Sequence, residues 1–507
     1  MFRVLHLRAL AAAILVLVCL TVAGCVAPLG RGYLIEKQQL EVHFLAGSDA
    51  GHPARVEIQA AYELRNTGDR PLSSLDARLP GGRRVQPSFL RANWDGSPAE
   101  IALAAGNEHN STLTLPAPWL VSACHTLKIS FEVASAGDAG PGLRFTGDAF
   151  FLPAADWSPE LVPQSGLFGF GGTPPKSWEL SVRVPQGFLV HTSGVKPKVS
   201  RSGSEQVLRV LQTPADRYPF VVAGRYTATE APGGAQRMIF WTRSQQTADL
   251  TQAGQQLSRT VQAYDASFGP RFKTRAGLWI VECPQVQGCF SNAARTRSLL
   301  FATDAAEESH AEMISSDTVM VDLSGGDTAL VASVAPSLAA TWLGYGQNPG
   351  FYEQVPPLTA FPLFAAALGR QSVEGPAYRN EVIRRALSRI PRTEASKPER
   401  GKRPEEPPPV VRAKSFLFFY GLQDHYGADV FRRATTAMLD ARGGRGFDIS
   451  DLIASFDQES HQFTAAEFVR LWMKHPGVPD EFRARYENTA SAAGSEQVPG
   501  SVRADPD

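Results

Sequence analysis

The sequence has no excess of charge of either sign. Fifty Lys and Arg residues balance fifty Asp and Glu residues over 507 positions. Nor does any stripe of basic residues alternate with aromatic residues, as it does on nucleic-acid-binding surfaces. The composition therefore excludes nucleic acid as an expected partner, and the length is sufficient for two or three domains.

Cysteine is scarce, with five residues in the whole chain. Cys19 and Cys25 lie near the N-terminus, which leaves Cys124, Cys283 and Cys289. An exported chain occupies a compartment that permits disulfides. Cys283 and Cys289 are near enough in sequence to bridge across a loop, and we take them as a candidate disulfide. Sequence alone does not give the Cα separation that such a bond requires.

The apolar run at residues 10–20 is too short to cross a bilayer as a stable helix. Arg3 and Arg8 precede it, and a basic region followed by an apolar one is typical of a secretory signal peptide, here residues 1–24. The segment ends in V-A-G-C at residues 22–25, which resembles the bacterial lipobox. The alternative is an ordinary secretory signal followed by a chance cysteine.

The lipobox resemblance implies that Cys25 becomes diacylated. Two or three acyl chains, such as palmitate, hold a protein stably at a membrane. Val26, rather than an aspartate, follows the cysteine, which favours the outer membrane in a host that has one. We therefore expect a lipoprotein of the bacterial cell envelope, with residues 25–34 as its tether. The side of the membrane that it faces is left open.

Residues 35–230 show the alternation of apolar and polar residues that is typical of half-buried strands. The runs W-E-L-S-V-R-V at 178–184, V-E-I-Q-A-A-Y at 56–62 and L-K-I-S-F-E-V at 127–133 are the clearest examples. Clusters of Gly, Pro and Asn separate such runs. This pattern predicts an N-terminal domain built from β-strands.

The spacing of apolar residues changes after residue 230. Leu257, Val261 and Tyr264 fall on one helical face, and the F-G-P sequence at 268–270 is a typical helix terminator. Short apolar strands are expected at residues 278–281 and 319–321. Residues 231–485 are therefore expected to form a second region that mixes strands and helices.

Two segments of the C-terminal region are poor in bulky apolar residues. Residues 391–411 are rich in Pro and charge, which predicts an extended, mobile segment. Residues 486–507 are expected to form a disordered tail. A third segment, residues 304–317, is acidic, and we interpret it as a solvated insertion.

The helical run V-A-P-S-L-A-A-T-W-L-G at residues 334–344 is the most informative motif. It resembles the active-site helix V-A-H-E-L-A-H-Q-W-F-G of the aminopeptidase N family of zinc metallopeptidases. Residues 150–159 resemble the end of that family's N-terminal domain. Residues 288–292 resemble its G-A-M-E-N substrate loop, and residues 412–415 resemble its Y-x-K-G stretch.

The resemblance covers about residues 35–485, and the blocks follow one another in the family's order. It implies an α+β multidomain fold. An N-terminal antiparallel β saddle domain at 35–230 is expected to precede a thermolysin-like mixed α/β domain and then an α-helical peptidase-type domain within 231–485.

The positions that the resemblance assigns to zinc chemistry carry unsuitable residues. Pro336 and Ala340 stand where the family has histidine ligands, and Thr359 stands at the glutamate ligand. Ser337 occupies the position of the general base, and Arg412 occupies that of the tyrosine that stabilises the oxyanion. A catalytic zinc site needs three protein ligands and a water, so the resemblance implies a family member without its metal.

The substrate loop is altered as well. It consists of Gly288, Cys289, Phe290, Ser291 and Asn292, with Ser291 at the position of the family's glutamate.

Pro336 also has a backbone effect. Proline removes a helical hydrogen bond to the carbonyl four residues earlier, so we expect a kink near Ala332.

These observations predict a catalytically inactive, lipid-anchored protein that binds a peptide or protein partner and needs no cofactor. One alternative is an active metallopeptidase with other ligands, such as His310 and the neighbouring glutamates. Another is a scaffolding lipoprotein whose cleft is filled by side chains. Arg412 is expected to be a surface residue, with an anion-binding role in the cleft as the alternative.

Overall fold

The computed structural model divides the chain into two compact units. The N-terminal unit contains Met1–Tyr226 and Pro284–Cys289, and the C-terminal unit contains Thr227–Cys283 and Phe290–Asp507. Within them the structure describes residues 32–47, 54–79, 88–103, 110–134, 144–153, 157–162, 175–193, 197–212, 219–231, 237–243, 249–270, 277–284, 311–315, 317–322, 330, 334–335, 337–339, 358–391, 408–442 and 448–493.

The described part of the N-terminal unit is built from β-strands. They are β1 (Tyr33–Leu45), β2 (Arg55–Asn66), β3 (Leu72–Arg78), β4 (Ser88–Trp94), β5 (Ser97–Leu103), β6 (Asn110–Trp119), β7 (Cys124–Ala134), β8 (Arg144–Thr146), β9 (Ala149–Leu152), β10 (Glu160–Val162), β11 (Trp178–Pro185), β12 (Leu189–Thr192), β13 (Lys198–Ser202), β14 (Glu205–Gln212) and β15 (Val221–Gly224).

These strands form two sheets. An eleven-stranded sheet has the order β10-β3-β6-β5-β4-β7-β2-β1-β11-β14-β13, and a four-stranded sheet has the order β12-β15-β9-β8. Their pairs are antiparallel apart from the parallel pair β1–β11. The alternation of apolar and polar residues along a strand gives the sheet one buried face. In β1, Leu40, Val42 and Phe44 are buried, whereas Glu41 and His43 point to the polar face. The predicted N-terminal antiparallel domain is confirmed.

The C-terminal unit contains a mixed sheet and helices. Its strands are β16 (Thr227–Ala231), β17 (Met238–Thr242), β18 (Leu278–Glu282), β19 (Ala311–Ser315) and β20 (Thr318–Val321), in the order β16-β17-β18-β20-β19. The strands β17, β18 and β20 are parallel to one another, and the two edge strands are antiparallel to their neighbours.

Helices make up most of the remaining described part of this unit. They are α1 (Leu250–Phe268), α2 (Phe361–Glu374), α3 (Pro376–Ser388), α4 (Pro408–Tyr426), α5 (Ala428–Arg442), α6 (Ile449–Ser460), α7 (Ala465–Lys474) and α8 (Asp480–Ala493), with a 3₁₀ helix at Leu358–Ala360. Among the residues that the structure describes, no helix is both long and apolar enough to cross a membrane.

The helix α1 shows how the sequence sets the boundaries of an element. The Asp249 side chain accepts hydrogen bonds from the backbone N–H groups of Thr251 and Gln252, which caps the N-terminus. Gly269 ends the helix with a φ of 79°, a conformation that glycine adopts without strain. The buried face includes Leu257 and Tyr264, as the apolar spacing predicts.

Several predicted boundaries differ from the structure. β1 begins at Tyr33, inside the segment 25–34 that was expected to be tether, because Tyr33 packs against Trp119. The boundary between the units falls after Tyr226 rather than after residue 230. Part of the acidic segment 304–317 forms the edge strand β19, since Ala311–Ser315 pairs with β20.

The segment 391–411 and the tail 486–507 were also predicted too long. Residues 408–411 form the first turn of α4, where proline is well accepted because its missing N–H has no helical partner there. α8 continues to Ala493, since the buried Tyr486 donates a hydrogen bond to Asp424 Oδ2 at 2.7 Å. Residues 392–407 and 494–507 lie outside the described residues.

The packing of α4 against α7 gives a test of the core. A Cβ added at Gly421 would lie 2.4 Å from Cζ3 of the buried Trp472. We expect Gly421→Ala to lower the free energy of unfolding by about 1–3 kcal/mol, because the clash outweighs the gain in helix propensity. Chemical denaturation of the purified chain measures this change.

Gly147→Ala is the matched control for this substitution. A Cβ at Gly147 meets no atom within 4 Å, so its effect is expected to stay within about 0.5 kcal/mol. A neutral or stabilising Gly421→Ala would contradict the described packing of α4 on α7.

Candidate functional site

Residues 334–339 lie in the core of the C-terminal unit. The described positions of this segment are helical, as predicted. Val334, Leu338 and Ala339 are fully buried in one apolar cluster with strands β18 and β20 and with the helices α1, α2 and α4, and Ala335 is buried as well. The apolar frame that carries the family resemblance is therefore a packing surface in this protein.

Tyr264 of α1 supports this segment through a buried hydrogen bond. Its hydroxyl donates to the carbonyl oxygen of Ala335 at 2.8 Å. Burial, with a smaller effect of Tyr378, raises the pKa of Tyr264 well above its usual value. The phenol therefore stays protonated and keeps donating. Gly369 makes room for it, because a Cβ there would lie 2.4 Å from the Tyr264 hydroxyl oxygen.

Ser337, which the resemblance aligns with the family's general base, is engaged in a structural contact. Its hydroxyl donates to the carbonyl oxygen of Ala311 at 3.2 Å, and the side chain is half-buried. Ala311 is the first residue of β19. Ser337 therefore ties the helical segment to the edge of the sheet.

Thr359 lies in the 3₁₀ helix Leu358–Ala360, which packs against α4. The structure describes its backbone position but not its side chain. Its neighbours Leu358, Ala360 and Phe361 are buried in the apolar core. The Phe361 ring lies 4.8 Å from that of Phe419, measured between centroids.

Two residues of the 412–415 stretch have opposite environments. Arg412 is exposed on α4, as expected for a surface residue. Lys414 is buried, and its Nζ donates to the carbonyl oxygens of His475 at 2.6 Å and Met473 at 3.4 Å. These carbonyls lie at the C-terminal end of α7, where a cation is favourable. Lys414 therefore has a structural role.

Other predicted site residues lie outside the described residues. They are Pro336, Ala340, His310 and the loop Gly288, Cys289, Phe290, Ser291 and Asn292, and the kink expected near Ala332 is likewise outside. The structure brings three segments into one core, at 334–339, 358–361 and 413–422.

The cysteines agree in part with the sequence interpretation. Cys283 is buried and disulfide-bonded, whereas Cys124 is free and exposed. The partner of Cys283 is outside the described residues, so the pairing with Cys289 stays a prediction.

The carboxyl ends of the parallel strands carry charged residues that the sequence interpretation missed. Arg243 follows β17, Glu282 ends β18, and Asp322 follows β20. A Glu282 carboxylate oxygen accepts the backbone N–H of Arg243 at 2.5 Å, and Asp322 is largely buried. In open sheets of parallel strands, ligands bind at this edge. The signal in the sequence is a single charge directly after each apolar run.

The described residues around segment 334–339 do not fit a zinc ion. Zinc in proteins is held by thiolate, imidazole and carboxylate groups. The described members of 334–339 and 358–361 are apolar apart from Ser337 and Thr359. In the part of the chain that the structure describes, no group of three His, Cys, Asp or Glu side chains is arranged to hold a metal.

Known structures with a similar fold are M1 zinc metallopeptidases. One, from Deinococcus radiodurans, matches with a TM-score of 0.53 at 15% sequence identity, over 89% of this chain and 95% of that chain. Another, a variant from that organism bound to a Tyr-Ser-Ala substrate, matches with a TM-score of 0.52 at 16% identity, over 89% and 96% of the two chains. A two-domain M1 variant bound to L-arginine matches with a TM-score of 0.52 at 14% identity, over the same shares.

No protein-family model and no curated protein sequence matches the chain. At these identities the structural likeness shows the fold alone. The predicted multidomain fold, with an antiparallel-rich N-terminal sheet, a mixed sheet and C-terminal helices, is confirmed.

The hydrogen bond between Tyr264 and Ala335 can be tested directly. We expect Tyr264→Phe to lower the free energy of unfolding by about 1–3 kcal/mol, because the buried Ala335 carbonyl loses its donor. Tyr426→Phe is the control, since its hydroxyl contacts Thr464 at the surface. An equal effect of the two substitutions in chemical denaturation would refute a special role for Tyr264.

The buried Lys414 makes a second prediction. Lys414→Met keeps the length of the side chain but removes the donor to the end of α7, and we expect a loss of about 2–4 kcal/mol of unfolding free energy. Lys474→Met, at an exposed position of α7, is expected to change it by less than about 0.5 kcal/mol. Equal melting curves for the two variants would show that Lys414 is not a capping residue.

Proposed function

We propose that this chain is a lipid-anchored protein with the fold of an M1 metallopeptidase that binds a peptide or protein partner without hydrolysing it. Acyl chains on Cys25 attach it to a membrane of the bacterial cell envelope, with the outer membrane favoured. The polypeptide needs no metal for folding or binding. The proposal has three separable parts: loss of zinc chemistry, retention of binding, and anchoring.

The distribution of histidine carries the first part. The full sequence contains ten histidines, and no two of them are four residues apart. Two histidines one helical turn apart are what places two zinc ligands on one face of a helix. The H-E-x-x-H motif is therefore missing from the whole chain, whichever segment is aligned with the family's helix.

The local packing supports the same conclusion. The segment 334–339 is surrounded by apolar side chains, and the Ser337 hydroxyl is directed to a backbone carbonyl. A serine hydroxyl that donates in this way is a poor proton acceptor near neutral pH. Catalysis assisted by a metal ion requires both ligands and a base, and neither is supplied by the described residues of this segment.

The second part rests on what the fold provides. The similar M1 variant from Deinococcus radiodurans holds a Tyr-Ser-Ala substrate. In this chain, Arg243, Glu282 and Asp322 place charges of both signs at the carboxyl edge of the mixed sheet. Charged groups of both signs are complementary to the two charged termini of a peptide, which is why binding is proposed rather than a purely structural role.

Metal content and activity test the proposal together. We expect purified, acylated protein to contain far less than one zinc ion per chain. Aminoacyl-anilide and tripeptide substrates should remain intact, and chelators should change neither result, because no ligand set is available. Stoichiometric zinc, or turnover that a chelator abolishes, would overturn the proposal.

His310→Ala is the matched variant for the competing hypothesis of an active enzyme with other ligands. That hypothesis predicts loss of zinc and of turnover on substitution, whereas we expect no change. Mass spectrometry of Cys25 tests the anchoring part independently, since acylation is detected whether or not the protein binds metal.

A further inference from the structure

An exposed apolar turn lies at one end of the eleven-stranded sheet. It joins β6 to β7, and it leaves Leu120 61% exposed and Val121 43% exposed. The Ala123 N–H donates to the Leu120 carbonyl at 3.2 Å, and Ser122 has a φ of 65°, so the turn is tight. Such corners usually carry Gly, Pro, Asn, Asp or Ser. Leucine and valine here are not required by the turn geometry.

The preceding residues extend this apolar surface. Residues 116–118, P-A-P, are exposed. They bulge from the sheet, because Leu72 pairs with Trp119 whereas Ser74 pairs with Thr114. No Asp, Glu, Lys or Arg occurs in residues 109–127. We call residues 116–118 together with Leu120 and Val121 the apolar tip.

The base of the apolar tip is fixed by buried hydrogen bonds. Asn66 is fully buried, and its side-chain amide donates to the carbonyl oxygens of Trp119 at 3.0 Å and Arg70 at 3.1 Å. Its backbone carbonyl accepts from Ser122 N–H at 2.9 Å. The Trp119 indole donates to the Ala123 carbonyl at 3.0 Å. The tip is therefore held outward by the fold and cannot readily turn its side chains into the core.

The same end of the sheet contains the start of β1. The Gly32 carbonyl accepts hydrogen bonds from Thr67 and Gly68, both at 3.1 Å, and Tyr33 pairs with Asn66. Since β2 lies between β1 and β7, and neighbouring strands are about 4.8 Å apart, the starts of β1 and β7 are about 10 Å apart. The chain from Cys25 to Gly32 spans at most about 25 Å when fully extended.

We propose that the apolar tip inserts into the membrane interface beside the acyl chains of Cys25. This inference rests on the anchoring part of the proposed function. A tether this short keeps the start of β1 near the bilayer, and the tip is the uncharged, apolar surface at that end of the sheet. Transfer of exposed apolar side chains from water to the interface is favourable. The tip is the second membrane contact, and two contacts fix the orientation of the N-terminal unit.

The free thiol of Cys124 provides a reporter next to the tip. The acylated protein is labelled there with an environment-sensitive fluorophore and placed on vesicles of phosphatidylethanolamine and phosphatidylglycerol. We expect the emission to shift to shorter wavelength and to be quenched by nitroxide-bearing lipids. The control is the double variant Cys124→Ser with Ser204→Cys, labelled at the new cysteine. Ser204 lies in the exposed turn between β13 and β14, at the opposite end of β1. That label should remain in water.

A pair of double variants tests the apolar side chains. The mature chain with Cys25→Ser has no acyl group, so its vesicle binding reports the tip alone. We expect Leu120→Asp with Val121→Asp to weaken that binding about tenfold, since transfer of exposed apolar surface is lost. Val199→Asp with Leu211→Asp removes a valine that is 60% exposed and a leucine that is 56% exposed in the same unit, and it should leave binding unchanged. Circular dichroism confirms that both variants are folded.

Three results would overturn the inference. One is a Cys124 label that stays in water on the acylated, vesicle-bound protein. Another is an equal effect of the two double variants on vesicle binding. The third is protection of the Cys124 label from water by a protein partner in the absence of vesicles. That result would make the tip a protein interface. Failure of Cys25 acylation would refute the anchoring part of the proposed function, and the Cys25→Ser experiment would still decide whether the tip binds membranes.

Discussion

The fold of the C-terminal unit depends on apolar packing around residues 334–339. Val334, Leu338 and Ala339 are buried in the same cluster as Phe361 and Phe419. Burial of apolar surface contributes about 25 cal/mol per Å² and requires no metal. The segments that the family resemblance connects with zinc can therefore pack together without a metal ion. Tyr264 adds a directed contact to this packing through the Ala335 carbonyl.

The elements that the sequence predicted well are those with a regular spacing of apolar residues. The alternation at 178–184 appears as β11, and the helical face of Leu257, Val261 and Tyr264 appears as α1 with its glycine terminator. Both patterns reflect burial on one face, which is local in sequence. The change in apolar spacing after residue 230 predicted the order of the β-rich and helical regions, and the family resemblance implied the same order.

Two of the failures depended on contacts between residues that are distant in sequence. Tyr33 joins β1 through its contact with Trp119, and Tyr486 continues α8 through Asp424. Composition indicated tether and tail at these two positions. Likewise, nothing local in the sequence shows that Lys414 caps α7 or that Ser337 bonds to β19. The charged residues at the carboxyl edge of the mixed sheet become visible only when the strand order is known.

The central claim is that this chain retains an M1 peptidase fold without the metal. Anomalous diffraction at the zinc absorption edge, from crystals grown with added zinc, tests it most directly. The account predicts no anomalous peak near Ser337, Thr359 or the adjoining residues 336 and 340. A strong peak coordinated by side chains at that place would contradict the account.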